Sequence, residues 1–117
     1  MNEKKDKYIL DENKNIIPAT LLEWGEWLEN AGDKKIVKQE NVGDYFISTV
    51  FLGLDHNWIS DLYKTDSHRP HIFETMIFHN EGNYIESYCR RCSTWQEAEA
   101  QHKRAVQWVK NGCKDDE

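Results

Sequence analysis

Four residues of this 117-residue chain carry the groups needed for proton transfer: Asp55, His56, Glu74 and His102. A carboxylate and an imidazole that share a buried site push each other's pKa values toward neutrality, as general acid–base catalysis requires. Glu74 stands between Phe73, Thr75 and Met76 in an otherwise apolar run, His102 falls on the apolar side of a helical pattern, and Asp55-His56 closes a strongly apolar segment. The same groups serve equally well as an ion pair or hydrogen bond that fixes a helix on a sheet. No Gly-rich phosphate loop, Gly-x-Ser-x-Gly elbow or His-Glu-x-x-His stretch accompanies them. A catalytic role therefore has candidates but no signature.

Cys89 and Cys92 form a Cys-x-x-Cys, half of a tetrahedral zinc set, for which His68 and His71 are the natural partners. Against that reading, there is no second cysteine pair and the histidines lie upstream at no recognised spacing. A redox pair would need a helix N-terminus to depress a thiol pKa, and Cys92 does stand just ahead of a helical pattern. The third reading gives the two thiols no shared role, and the expected cofactor is none, with zinc as the exception to test.

Trp58, Ile59, Leu62 and Tyr63 place four large apolar groups in the otherwise polar stretch 55–70. Such a stretch either folds back onto the core or presents anchors to a partner, since aromatic anchors are what interfaces use.

These groups must be positioned by elements that the sequence marks clearly. Tyr8-Ile9-Leu10 and Ile16-Ile17 flank an Asp/Asn-rich turn, which suggests a tight hairpin or a strand and turn. Thr20 with Glu23 three residues later is a capping box, opening a helix over 20–31 whose apolar stripe is Leu21, Trp24, Leu28 and Ala31, widened by Trp27. Strands follow over 35–41, 45–54, 71–79 and 84–91, with Gly43-Asp44 and the stretch 80–83 as turns. The run at 45–54 is apolar on both parities and reads as a central strand. Ser93 or Thr94 then caps a last helix, with Trp95, Ala98, His102, Ala105, Val106 and Val109 on its buried stripe and Gly112 at its end. The expected architecture is α+β: an antiparallel sheet of about four to five strands with two helices packed on one face, a two-layer sandwich. The domain should span 8–112, with disordered tails at 1–7 and 113–117.

Composition narrows the partners. Aromatic residues make up 12% of the chain and hydrophobic residues only 38%, so the core should consist of few but bulky groups. The net charge is −6 and no basic cluster exceeds two residues, which disfavours direct nucleic-acid binding. No apolar run is long enough to span a bilayer, and neither a secretory signal nor an even cysteine count points to export, so the cytoplasm, of a bacterium or of any cell that expresses the gene, is the expected location.

Three segments together resemble a family of small uncharacterised proteins of tailed bacteriophages and prophages. They are Ser48-Thr49-Val50-Phe51-Leu52-Gly53-Leu54-Asp55-His56, Phe73-Glu74-Thr75-Met76-Ile77-Phe78 and Ser93-Thr94-Trp95-Gln96-Glu97-Ala98-Glu99-Ala100-Gln101-His102. An early helix containing Trp24 and Trp27 also fits that pattern. The resemblance implies a phage origin and a non-virion accessory role, without an established activity. The positions it would place in a shared site are Asp55, His56, Glu74, Thr75, Thr94, Trp95, Glu97 and His102, while Cys89, Cys92 and the stretch 66–71 depart from the pattern.

Three expectations follow. The first is an accessory protein that binds and modulates a host or phage protein, a host-defence component included, through Trp58, Ile59, Leu62 and Tyr63. The second is a small enzyme or ligand-binding protein using Asp55, His56, Glu74 and His102 in a pocket between the sheet and the last helix. The third is a minor virion or assembly component.

Overall fold

The computed structural model describes residues 7–54, 70–79 and 84–113. The chain opens with a short antiparallel hairpin of β1 (Tyr8–Leu10) and β2 (Ile16–Pro18), paired Tyr8 with Pro18 and Leu10 with Ile16. Its tip is held by the Asp11 carboxylate, which accepts from the backbone N–H groups of Asn13 and Asn15 at 2.8 and 2.9 Å. That is the Asx-type turn the Asp/Asn cluster predicts. The hairpin forms a sheet of its own, and Lys7, expected in a tail, bridges to Leu54.

Helix α1 (Leu21–Ala31) begins as its capping box requires: Thr20 Oγ1 accepts from the Glu23 N–H, and Glu23 Oε1 accepts from the Thr20 N–H at 2.8 Å. A 3₁₀ turn (Gly32–Lys35) leads into β3 (Ile36–Val42), and β4 (Tyr45–Phe51) follows after a two-residue turn in which Gly43 has φ 60°. β5 (Phe73–His79) and β6 (Tyr84–Cys92) complete an antiparallel sheet in the order β3-β4-β5-β6, so 45–51 is indeed a central strand. Helix α2 (Trp95–Lys110) is capped by Thr94 and Glu97 in a second capping box. The chain is α+β, an antiparallel four-stranded sheet with helices packed against it and a two-stranded sheet beside it.

Strand alternation sorts the sheet into two faces. Ile47, Thr49 and Phe51 of β4 and Phe73, Thr75 and Ile77 of β5 are all buried beneath α2. Two apolar clusters result. One joins Leu10, Phe51, Ile72, Phe73 and Ala98, and the other joins Ile47, Ile77, Tyr88, Ala105 and Val109. Alanines at 98 and 105 have no exposure, and their small side chains let the helix backbone come close to the sheet.

Helix α1 packs differently from its sequence pattern. Its stripe was expected to face the core, yet Leu21 is 64% exposed while Ala31 is buried and Trp24, Trp27 and Leu28 are half-buried. The helix packs on β1 and the 3₁₀ turn and reaches the large sheet through its tryptophans: Trp27 meets Phe51 edge-on at 5.4 Å, and the Trp24 indole N–H donates to the Leu52 carbonyl at 3.1 Å. Gly53 makes that approach possible. At φ 73°, a Cβ there would lie 2.5 Å from the Tyr8 carbonyl oxygen and 2.6 Å from Trp24 Nε1.

Candidate functional site

Between the two apolar clusters runs a row of buried polar side chains. Thr49 and Thr75 occupy inward positions of adjacent central strands, paired directly across β4 and β5, and their hydroxyl oxygens are 2.7 Å apart. Gln101 and His102 come down on them from α2, one helical turn beyond Ala98 and one before Ala105. The Gln101 amide donates to Thr75 Oγ1 and to the Arg90 carbonyl, each at 3.0 Å. His102 Nδ1 lies 2.7 Å from Thr49 Oγ1, and its Nε2 lies 2.7 Å from Glu40 Oε2. Glu40 enters from the edge strand β3, with its side chain about one-third exposed and Lys38 Nζ 3.6 Å from the same carboxylate oxygen. The row Glu40–His102–Thr49–Thr75–Gln101 thus crosses the sheet from the β3 edge to β6.

Electrostatics follow from burial and hydrogen bonding. Removal from water pushes the His102 imidazole below its ordinary pKa, against the opposing pull of Glu40. The Glu40 carboxyl is held below its ordinary range, chiefly by the hydrogen bond from His102.

Carboxylate, imidazole and hydroxyl stand here in the order of a hydrolytic triad. Access argues against that use, because Thr49 has no exposed surface and both sides of its hydroxyl are occupied by hydrogen-bond partners. Three cavities lined by described residues open beside the N-terminal hairpin and α1, away from this row. What the arrangement does chemically is satisfy four buried polar side chains and set the position of α2 on the sheet.

The expected pairing of His102 with Glu74 is not found. Glu74 lies between Phe73 and Thr75, both inward, so alternation points it to the opposite face of the sheet. There Arg91 grips one of its carboxylate oxygens, with Nε at 3.1 Å and a terminal guanidinium nitrogen at 3.0 Å, and the Cys89 thiol donates to the same oxygen at 3.5 Å. Asp55 and His56 lie outside the described residues, as do Trp58, Ile59, Leu62, Tyr63 and His68. Of the other positions in the expected shared site, Thr75 joins the row, Thr94 and Glu97 cap α2, and Trp95 packs edge-on against Phe73 at 6.1 Å.

The Cys-x-x-Cys pair is also divided. Both cysteines belong to β6, where residues three apart point to opposite faces: Cys89 pairs with Met76 beside Glu74, while Cys92 pairs with Phe73 and packs into the core. A common metal ion would have to reach through the sheet. His71 is half-buried just ahead of β5. Burial and the nearby Glu74 carboxylate push the Cys89 thiol pKa up, the reverse of what a redox or metal-binding thiolate needs.

Sequence reading passed over Glu40, Thr49 and Gln101. Thr49 and Gln101 carried a usable signal, because each is a polar residue on a stripe otherwise filled by apolar ones. Glu40 carried none, since it sits between Gln39 and Asn41 in a strand that reads as polar.

A groove of about 510 Å³ lies between α1 and the end of β4, lined by Trp24, Leu28, Lys35, Val50, Phe51, Leu52 and Leu54. Leu21 and Leu22, at 64% and 71% exposure, stand on the first turn of α1, the helix that forms one wall of the groove. No helix among the described residues is long and apolar enough to cross a membrane. Compared with known proteins, the chain matches no family model, no curated protein and no solved structure.

Proposed function

We propose that this chain is a small accessory protein of phage type that works by binding a protein of the bacterial host cell, with components of host defence as the first partners to test. The observation that carries this reading is the apolar surface of α1. Leu21 and Leu22 are the two most exposed large hydrophobic side chains among the described residues, on the helix that also lines the groove through Trp24 and Leu28. Leucine and aromatic side chains beside a groove are the usual means by which a helix face engages a partner. The polar row, by contrast, is buried from His102 to Gln101, opens to solvent only at Glu40 among the described residues, and serves the core. Acidic overall charge favours a partner with a basic surface and works against nucleic acid.

The test is a photo-crosslinking residue placed at Leu22 in protein expressed in bacterial cells, with the same residue at the exposed position Lys103 as the control. A discrete adduct formed from position 22, absent from position 103 and lost when Leu21→Lys is added, supports the reading. Equal labelling from both positions, or no adduct from a folded protein, overturns it.

A further inference from the structure

The polar row admits one internally consistent arrangement of protons. Gln101 spends both amide protons, one on the Arg90 carbonyl and one on Thr75 Oγ1. Thr75 is then free to donate to Thr49, and Thr49 to donate onward to His102 Nδ1. That makes Nδ1 an acceptor and leaves the imidazole proton on Nε2, directed at Glu40. Every hydrogen from Gln101 to the carboxylate points the same way.

A proton added at Nδ1 reverses this order. Thr49 would have to accept from His102 and turn its own hydrogen toward Thr75, whose oxygen already receives the Gln101 amide. The Thr75 hydrogen then has no acceptor left in the row, at a position with no solvent exposure. Among the described residues, few charges face the imidazole to offset this. β3 contributes Glu40 and Lys38, and Lys38 competes for the same carboxylate oxygen. Among the described residues, β4 and β5 contribute the two hydroxyls and β6 the Arg90 carbonyl, the Arg90 guanidinium being stacked at 4.5 Å over Tyr88, which itself packs with Ala105 and Val109. On α2 itself, Glu99, Lys103 and Arg104 are exposed.

We infer that the row is a proton-gated latch: α2 is seated on β4 and β5 while His102 is neutral with its hydrogen on Nε2, and uptake of one proton at Nδ1 unseats the helix. The latch stands independently of the binding role proposed above, since it involves neither Leu21, Leu22 nor the groove.

Two measurements on the intact protein test it. Nitrogen-detected NMR of the imidazole should show the Nε2–H tautomer at pH 7.5, whereas the Nδ1–H tautomer or an imidazolium at that pH overturns the inference. Backbone hydrogen exchange, corrected for the intrinsic effect of pH, should show protection of the α2 amides falling by about tenfold between pH 7 and pH 5. In Glu40→Gln, which keeps an acceptor for Nε2–H but removes the charge that favours imidazolium, the pH at which α2 loosens should move downward. Protection that does not change with pH, or a loosening pH that Glu40→Gln leaves in place, also overturns it. The tautomer measurement needs no variant and stands even if Glu40→Gln proves unstable.

Discussion

Thr49 and Thr75 meet across the two central strands with their hydroxyl oxygens 2.7 Å apart, neither with any exposed surface. Threonine suits a strand, but here its hydroxyl also links the sheet to α2 through His102 and Gln101. Replacing either by valine keeps the shape and removes one link. Thr49→Val strands both His102 Nδ1 and Thr75, so urea unfolding should register a loss of about 1–3 kcal/mol. The Thr49→Val/Thr75→Val pair should cost less than the sum of the single changes, with a coupling of at least about 0.5 kcal/mol. Strict additivity would mean that the two hydroxyls do not act as a unit.

The row also fixes the sign of the acid response. The folded-state pKa of His102 lies below its ordinary value, so the unfolded chain binds that proton first as pH drops. Stability is therefore complete above about pH 6.5 and declines as pH falls from there toward the folded pKa. Glu40 is also depressed, and its contribution, present above its ordinary value, is lost as pH falls through its folded pKa. Denaturation midpoints measured from pH 8 to pH 3 should show a first decline near pH 6 and a second below pH 4.5. In Glu40→Gln the second decline should shrink, and a midpoint that rises on acidification would contradict the assignment.

Two glycines predict opposite outcomes for the same substitution. Gly53→Ala drives a Cβ into the Tyr8 carbonyl and the Trp24 indole at a positive φ, and should cost more than about 2 kcal/mol by prising the N-terminal hairpin from the sheet. Gly25 lies inside α1 with no atom near the space a Cβ would fill. Gly25→Ala should raise stability by about 0.5–1 kcal/mol. Thermal melts of the two variants provide the check.

Leu21→Lys and Leu22→Lys should each leave folding stability within about 0.5 kcal/mol of the parent, since neither side chain is buried. Leu21→Lys should also abolish the crosslink formed from position 22 while the melt is unchanged. A large drop in stability would place these leucines in the core instead.

Cys89 should alkylate slowly. Its thiol pKa is raised by burial and by the carboxylate of Glu74, so at pH 7.5 its reaction with iodoacetamide should lag that of the same cysteine in denatured protein by about tenfold or more. Glu74→Gln should speed it. Zinc added to the folded protein should protect neither Cys89 nor Cys92 from the reagent; shared protection of both would show that they can converge on one ion.

Local chemistry made much of the fold legible. Thr20 with Glu23, and Ser93 or Thr94 with Gln96 or Glu97, announced the starts of α1 and α2, the structure choosing Thr94 with Glu97, and Gly43 marked the turn between the first two strands of the large sheet. His102 was singled out because packing alone would have placed an apolar residue there, and it proved to be the centre of the polar row. Its carboxylate partner was misassigned for an identifiable reason. β5 is apolar on both parities, Phe73 and Ile77 on one and Met76 and Phe78 on the other, so nothing local shows which way Glu74 points. The leucines of α1 misled in a similar way. Their spacing shows that the helix has an apolar face, but not what that face lies against.

The sequence by itself determined the elements, their caps and the candidates for buried polarity, because these depend on residues within one turn or one strand of each other. Only the tertiary structure decided which groups meet. Glu40 reaches His102 across 62 residues because β3 pairs with β4 through a register shift between Ile36 and Lys38, which turns Lys38, Glu40 and Val42 toward α2. A one-residue slip in that register would have sent Glu40 to the other face and left His102 without its carboxylate. Register is a property of paired strands, and no single strand carries it.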